Sequence, residues 1–244
     1  MKYAIIAAGE GSRLSQEGVA DPKPLISVCG ERLIDRLIRI FVQHGATEVD
    51  VICNKIRPEV EQHLLTLQQE GLNGKRIPLK YISQTTPSSM HSFYELSRLL
   101  KGDEPFVLTT VDTIFRSEEF AQYINSFQQA IAEGYDGVMG VTDYIDDEKP
   151  LYVDVDADML ITGFLDQAPT QARYISGGIY GLSPKALDTL TRCVESGKSR
   201  MRNFQRELIN EGQRLKAWSF SKVLDIDHVS DIAKAEQFLS ASAE

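Results

Sequence analysis

Cysteine is scarce: Cys29, Cys53 and Cys193 are the three in 244 residues. An odd, widely spaced set makes neither a disulfide framework nor a CxxC pair, so a reducing, cytoplasmic setting is expected. Cys53 closes the apolar run Val-Asp-Val-Ile-Cys and reads as a small core residue with no catalytic role. Basic residues are in deficit as well, 26 Lys plus Arg against 35 Asp plus Glu, for a formal charge of −9. That is the opposite of the basic surface that grips a phosphate backbone, so no nucleic-acid partner is expected. A small anionic substrate stays compatible, because a few placed cations and a metal can invert a local field. No apolar run approaches membrane-spanning length, and the first, residues 3–8, stops at Gly9-Glu10, too short for a signal-peptide core. A soluble chain with no membrane partner is expected. Seventeen glycines and nine prolines are too few for a collagen-like or low-complexity chain. The phosphate-binding pattern GxxxxGK[ST] is missing, and Leu14 stands where GxGxxG needs its third glycine, which argues against a P-loop and a dinucleotide site.

What is present alternates. The short apolar runs KYAIIAA, EVDVIC, IPLKYIS and PFVLTTV read as buried strands, separated by helical patterns over 31–45, 57–70 and 89–101. This order predicts a Rossmann-like, doubly wound α/β sheet in three layers, α/β/α, with its ligand crevice at the carboxyl ends of the strands. After residue 135 the segments YDGVMGVTDY, PLYVDVDADMLITGFLD and ARYISGGIYGLSP read as strands joined by hairpins or long loops, so the sheet is expected to be mixed. No linker divides the chain, and a single domain over residues 1–244 is expected.

Four places carry chemistry. Ala7-Ala8-Gly9-Glu10-Gly11-Ser12-Arg13 follows the first strand, where glycines let backbone N–H groups approach phosphate and Arg13 offers a planar guanidinium; a bland turn explains the glycines equally well. No helix is expected directly after it, because Gly18, Asp21 and Pro22 interrupt the pattern. In Asp21-Pro22-Lys23-Pro24 two prolines clamp a lysine, which suits a fixed ammonium. Asp112 ends the strand PFVLTTV, a rim position where a hard carboxylate suits Mg²⁺ on phosphate oxygens. Leu224-Asp225-Ile226-Asp227-His228 precedes the last helix, with Asp227 a candidate N-cap and His228 a solvated first-turn residue.

The order AAGEGSRL, PKPLISV, GERLIDRLI resembles the amino-terminal signature of the sugar-phosphate nucleotidyltransferases, the nucleotide-diphospho-sugar pyrophosphorylase family, with its cytidylyltransferase-like members nearest. The resemblance implies an enzyme that transfers a nucleotidyl group, with Arg13 and Lys23 as catalytic cations on the pyrophosphate and α-phosphate. It implies that Ala8, Gly9, Gly11 and Ser12 wrap the nucleoside triphosphate. Asp112 and Asp225 would hold Mg²⁺, with Asp227 as the alternative second ligand. Gln84, Ser88 and Ser89 occupy the stretch that meets base and ribose in relatives, although a serine there also caps a helix. Gly177 and Gly178 resemble the strand that the acceptor approaches, a pattern that a bulge explains as well. Arg173 is a candidate for the acceptor's charge.

Departures narrow the reading. Val111 replaces the usual glycine before the metal aspartate, and Asp166-Gln167 stands where sugar-1-phosphate enzymes present Glu-Lys. The second departure argues against a hexose-1-phosphate acceptor; the resemblance implies as partners an NTP, with Ser88 and Ser89 favouring CTP or UTP, and a small phosphorylated sugar, polyol or amino-alcohol, and leaves open whether the chain forms a homo-oligomer. A molybdopterin-type nucleotidyltransferase and a nucleotide-binding regulatory module without catalysis are the alternatives. A glycosyltransferase ranks lower, because Asp154-Val155-Asp156 reads as a strand end and turn.

Overall fold

Strict alternation along the first strand decides the layering. In β1 (Lys2–Ala7) the residues Tyr3, Ile5 and Ala7 enter one hydrophobic core and Ala4 and Ile6 enter another, all nearly inaccessible to solvent. The computed structural model describes residues 1–146, 148–168 and 173–241. The first core is covered by α2 (Leu33–Gln43), α3 (Pro58–Glu70), α5 (Ser117–Ala132) and α8 (Val229–Ser240). The second is covered by α4 (Ser89–Leu96), α6 (Lys185–Glu195) and α7 (Met201–Asn210). Each helix turns an apolar stripe to the sheet: α2 buries Leu33, Ile34, Leu37, Ile38 and Phe41, and the Phe41 ring stacks on Tyr3 at 4.7 Å between centroids.

Seven strands make the main path of the sheet. β4 (Glu48–Cys53) and β6 (Phe106–Thr110) flank β1 in parallel, and β5 (Leu79–Ser83) extends β4 in parallel. β11 (Tyr174–Leu182) runs antiparallel to β6 through Ile179–Leu182; on its other edge it pairs β8 (Gly137–Thr142), which β12 (Leu215–Phe220) follows in parallel. The start of β11 pairs β9 (Tyr152–Val155), whose hairpin partner is β10 (Ile161–Leu165). The mixed, helix-flanked Rossmann-like α/β sheet expected from the strand runs is therefore present, and the 150–166 segment is the antiparallel pair it was read to be. Two small ladders lie apart, β2 (Ser27–Val28) with β3 (Glu31–Arg32), and β7 (Thr113–Ile114) with β13 (Leu224–Asp225).

One local expectation fails. A short helix, α1 (Ser12–Gln16), begins directly after the glycine turn. Gly11 starts it from a left-handed conformation (φ 62°), and Leu14 anchors it in the core before Gly18 (φ 92°) ends it. Among the described residues no helix is long and apolar enough to cross a membrane.

Asp50 on β4 is fully buried beside Glu48, and no donor reaches either of its carboxylate oxygens. Burial, with Glu48 adding like charge, pushes its carboxyl up to about 7. The fold therefore keeps Asp50 protonated where the unfolded chain ionises it. Its contribution to stability is whole below the ordinary aspartate range and is lost as pH rises to about 7, at up to roughly 1.4 kcal/mol per pH unit. Urea unfolding of Asp50→Asn at pH 5 and pH 8 checks this: the variant is expected to gain on the parent protein at pH 8, and an equal difference at both pH values contradicts it.

Candidate active site

The carboxyl ends of β1 and β6 meet a loop and the approach to the last helix. After β1 the chain turns through Gly9 and Gly11, and the segment that follows returns to present Lys23. Pro22 and buried Pro24 frame Lys23 in a short 3-10 turn, closed by Leu25 N–H donating to Pro22 O at 2.8 Å. A Cβ built on Gly11 would lie 3.3 Å from Lys23 Cβ, so the glycine turn and the lysine pack against each other.

β7 and β13 bring the two acidic segments together. Asp225 is in register with Thr113, and Ile226 N–H donates to Asp112 O at 3.1 Å. Thr113 Oγ1 donates to Asp225 Oδ1 at 3.4 Å. Asp227 lies just beyond, and its role differs from the helix-capping one expected. His228 is the N-cap residue of α8, and the Asp231 carboxylate accepts from the N–H groups of Asp227 and His228 at 3.2 and 2.8 Å. The Asp227 side chain, one residue before the N-cap, has another task.

That task is a cation cluster. Lys23 Nζ donates to Asp112 Oδ2 at 2.7 Å and to Asp227 Oδ1 at 2.6 Å, and Arg13 Nη1 donates to Asp227 Oδ2 at 2.8 Å. The Lys23 side chain is only 10% exposed. Burial disfavours its ammonium, but Asp112 and Asp227 outweigh burial and hold its pKa above the ordinary lysine value. A neighbouring pair ties the glycine segment to α8: Glu17 accepts from His228 Nδ1 at 2.5 Å and from Val229 N–H at 2.7 Å. The hydrogen bond from His228 is the main reason the Glu17 carboxyl sits below its usual range.

Two cavities share this cluster as their boundary. One, of about 390 Å³, has Ala8, Gly9, Gly11, Lys23 and Asp112 on one side and Ser88, Ser89 and Asn54 among its other walls. The second, of about 260 Å³, includes Arg13, Ser176, Gly177, Asp225, Asp227 and Tyr144. Residues read from sequence thus divide between them. Ser88 both lines the first cavity and caps α4, its Oγ accepting from His91 N–H at 3.4 Å. Val111 is buried and belongs to the same wall. Ser12 and Gln84 line neither cavity; Gln84 serves through its backbone, donating to Cys53 O at 2.9 Å.

Gly177 and Gly178 form a bulge, where the register of β11 against β8 shifts between Ser176 and Ile179. Gly178 has φ 69°, and a Cβ there would sit 3.1 Å from Thr113 Oγ1, so backbone geometry demands that glycine; Gly177 lines the second cavity. Arg173 is exposed, lies over the Tyr174 ring at 5.3 Å, and lines neither cavity. Asp166 is held by Arg202 Nη1 at 2.6 Å and Arg206 Nη2 at 2.8 Å. Sequence reasoning passed over Asn54 in the first cavity and Tyr144 and Lys234 in the second, whereas Thr86 and Ser92 lie in the stretch that it had marked for base and ribose. Asn54 had a readable signal, a polar residue just past an apolar parallel strand, as Asp112 is.

The acidic side chains suit a hard divalent cation. Asp112 and Asp227 already converge on one ammonium, so their oxygens can meet on one positive centre. Among the described residues no group of three or more His, Cys, Asp or Glu is arranged to hold a metal alone. One or two carboxylates completed by phosphate oxygens and water is the usual provision for Mg²⁺.

The sequence matches the nucleotidyl transferase family over residues 2–242. A low-salt glycan biosynthesis nucleotidyltransferase of Haloferax volcanii is 23% identical over 205 residues, covering 82% of this chain and 54% of that protein, so the chain spans about half its length. The inositol-1-phosphate CTP transferase of T. maritima superposes with a TM-score of 0.74 at 17% identity, covering 98% of this chain and 97% of the other. A UDP-glucose pyrophosphorylase solved with UDP-glucose gives 0.77 at 15% identity, covering 100% and 99%. At such identities the two structures establish a common fold.

The two glycines of the turn carry different demands. Gly11→Ala places a side chain in a left-handed conformation against Lys23, which costs about 1–2 kcal/mol. Gly9 has open space where a Cβ would go. Thermal unfolding without nucleotide is expected to show a lowered Tm for Gly11→Ala and an unchanged one for Gly9→Ala; equal effects would contradict this packing.

Proposed function

Because this chain belongs to the nucleotidyl transferase family, we propose that it transfers an NMP group from an NTP, CTP or UTP favoured, to a small phosphorylated sugar, polyol or amino-alcohol, releasing pyrophosphate. The observation that carries this reading is the Lys23, Asp112, Asp227 and Arg13 cluster at the boundary of two cavities. A donor and an acceptor in adjoining chambers would meet there. Residues 1–244 act as the catalytic domain.

In this reading the larger cavity takes the nucleotide. The backbone at Ala8, Gly9 and Gly11 wraps the triphosphate, with no side chain at the glycines to obstruct close approach. The small side chains of Ser88 and Ser89 leave room for a pyrimidine. The acceptor enters the smaller cavity past Gly177 and Ser176. An oxygen of its phosphate attacks the α-phosphorus; the new P–O bond forms as the bond to the pyrophosphate oxygen breaks, and pyrophosphate leaves with that electron pair. Lys23 and Arg13 turn from their carboxylates to the phosphate oxygens and stabilise the charge that develops on them, so positioning and electrostatics do most of the work. Asp112 with Asp225 or Asp227 would hold Mg²⁺, which when bound screens the triphosphate charge and orients its oxygens.

A thermal-shift panel of CTP, UTP, GTP, ATP and dTTP with Mg²⁺, followed by a pyrophosphate-release screen of phosphorylated acceptors with the best nucleotide, tests the reading. Stabilisation by a pyrimidine nucleotide and acceptor-dependent pyrophosphate release are expected. Nucleotide binding without pyrophosphate release from any acceptor would point instead to a binding module. Lys23→Ala is expected to lower kcat more than it raises KM for the nucleotide, because its charge counts most in the transition state. An unchanged kcat would remove Lys23 from the chemistry.

A further inference from the structure

Asn54 follows β4 directly and is 3% exposed. Its side chain is wired in three directions. Nδ2 donates to Ala8 O at 3.1 Å, and Oδ1 accepts from Thr85 Oγ1 at 2.7 Å and from Ile56 N–H at 3.2 Å. The bond to Ile56 is a local turn that any Asn or Asp after a strand can make. The other two bonds are not local: they join the turn after β1 to the loop between β5 and α4.

Those two segments follow the strands on either side of β4, and both line the larger cavity. Ala8, Gly9 and Gly11 belong to one, Thr86, Ser88 and Ser92 to the other, and Asn54 lies in the wall between them. The loop between β5 and α4 also braces itself, since Thr86 Oγ1 lies 2.6 Å from Ser92 Oγ. A braced loop still needs a fixed distance from the glycine turn. The Asn54 amide supplies that tie, and its burial makes a broken bond costly.

We propose that Asn54 is a positioning residue for the nucleotide: by tying Ala8 to Thr85 it sets the width of the cavity and so its fit to the NTP. This rests on the nucleotidyltransferase reading of the same cavity. Thr85 is exposed and does not line the cavity, so a change in its hydroxyl reaches the nucleotide through Asn54. Preorganised walls spare the ligand the cost of ordering them, so loosening the tie weakens nucleotide binding before it slows the chemistry.

The test is a thermodynamic cycle of Thr85→Val, Asn54→Ala and the double variant, read by titrating NTP with Mg²⁺ and by the KM and kcat of pyrophosphate release. Thr85→Val is expected to raise the NTP Kd about threefold and Asn54→Ala about tenfold, with the double variant no worse than Asn54→Ala alone. The KM for the phosphorylated acceptor is expected to stay within about twofold. A lowered Tm with unchanged NTP Kd would make Asn54 a fold residue and overturn the proposal, as would strictly additive effects. Should Asn54→Ala fail to fold, an unchanged Kd in Thr85→Val overturns it alone. A parent protein that binds NTP without releasing pyrophosphate sinks the transferase reading while the Kd values still decide on Asn54; one that binds no NTP sinks both.

Discussion

A buried ammonium between two carboxylates organises this molecule's working edge. Lys23 reaches Asp112 and Asp227 at 2.7 and 2.6 Å, and its nearly buried ammonium would be costly in that position without them. The arrangement requires three distant parts of the chain to meet: the proline-framed turn at Lys23, the end of β6 at Asp112, and the approach to α8 at Asp227. The sheet holds the turn after β1 beside the end of β6, and Lys23 packs on that turn at Gly11. The short β7–β13 ladder supplies the third.

The same cluster explains why the edge is ready for phosphate chemistry. A lysine held protonated by two acids and an arginine resting on one of them keep positive charge available in a chain with an overall excess of acid. Their partners are hard oxygen donors suited to a divalent cation, so cations can move from carboxylates to phosphate oxygens when a triphosphate arrives. In the proposed reading, the two cavities beside the cluster would give the donor and the acceptor separate places to bind.

Much of this was legible in the residues, for physical reasons. Buried parallel strands leave continuous apolar runs, so β1, β4, β5 and β6 were readable, and a ligand edge followed from their direction. Lys23 and Asp112 stood out because two prolines and a strand end restrict where a side chain can point. The placement of the Asp225 and Asp227 side chains was not legible: it depends on a two-residue ladder and on His228, not Asp227, being the N-cap residue of α8, neither of which leaves a periodic signal. The helix after Gly11 was missed because Gly18 and Pro22 look like breakers, whereas a single buried Leu14 suffices to seat so short a helix. Arg173 carried the right charge, but it lies over the Tyr174 ring and lines neither cavity. Asn54 could have been read from its place at a strand end, but its tie between Ala8 and Thr85 needed the fold, because those partners are far apart in sequence.

The central claim is that the α-phosphate of a nucleotide passes to an acceptor at the boundary between the two cavities. Parallel incubations with NTP labelled at the α- or the γ-phosphorus, each with Mg²⁺ and a phosphorylated acceptor, follow both halves of that transfer at once. The account requires the α label to appear in a new acceptor conjugate and the γ label in pyrophosphate. A γ label on the acceptor, or an α label that stays in free nucleotide with every acceptor, would contradict it.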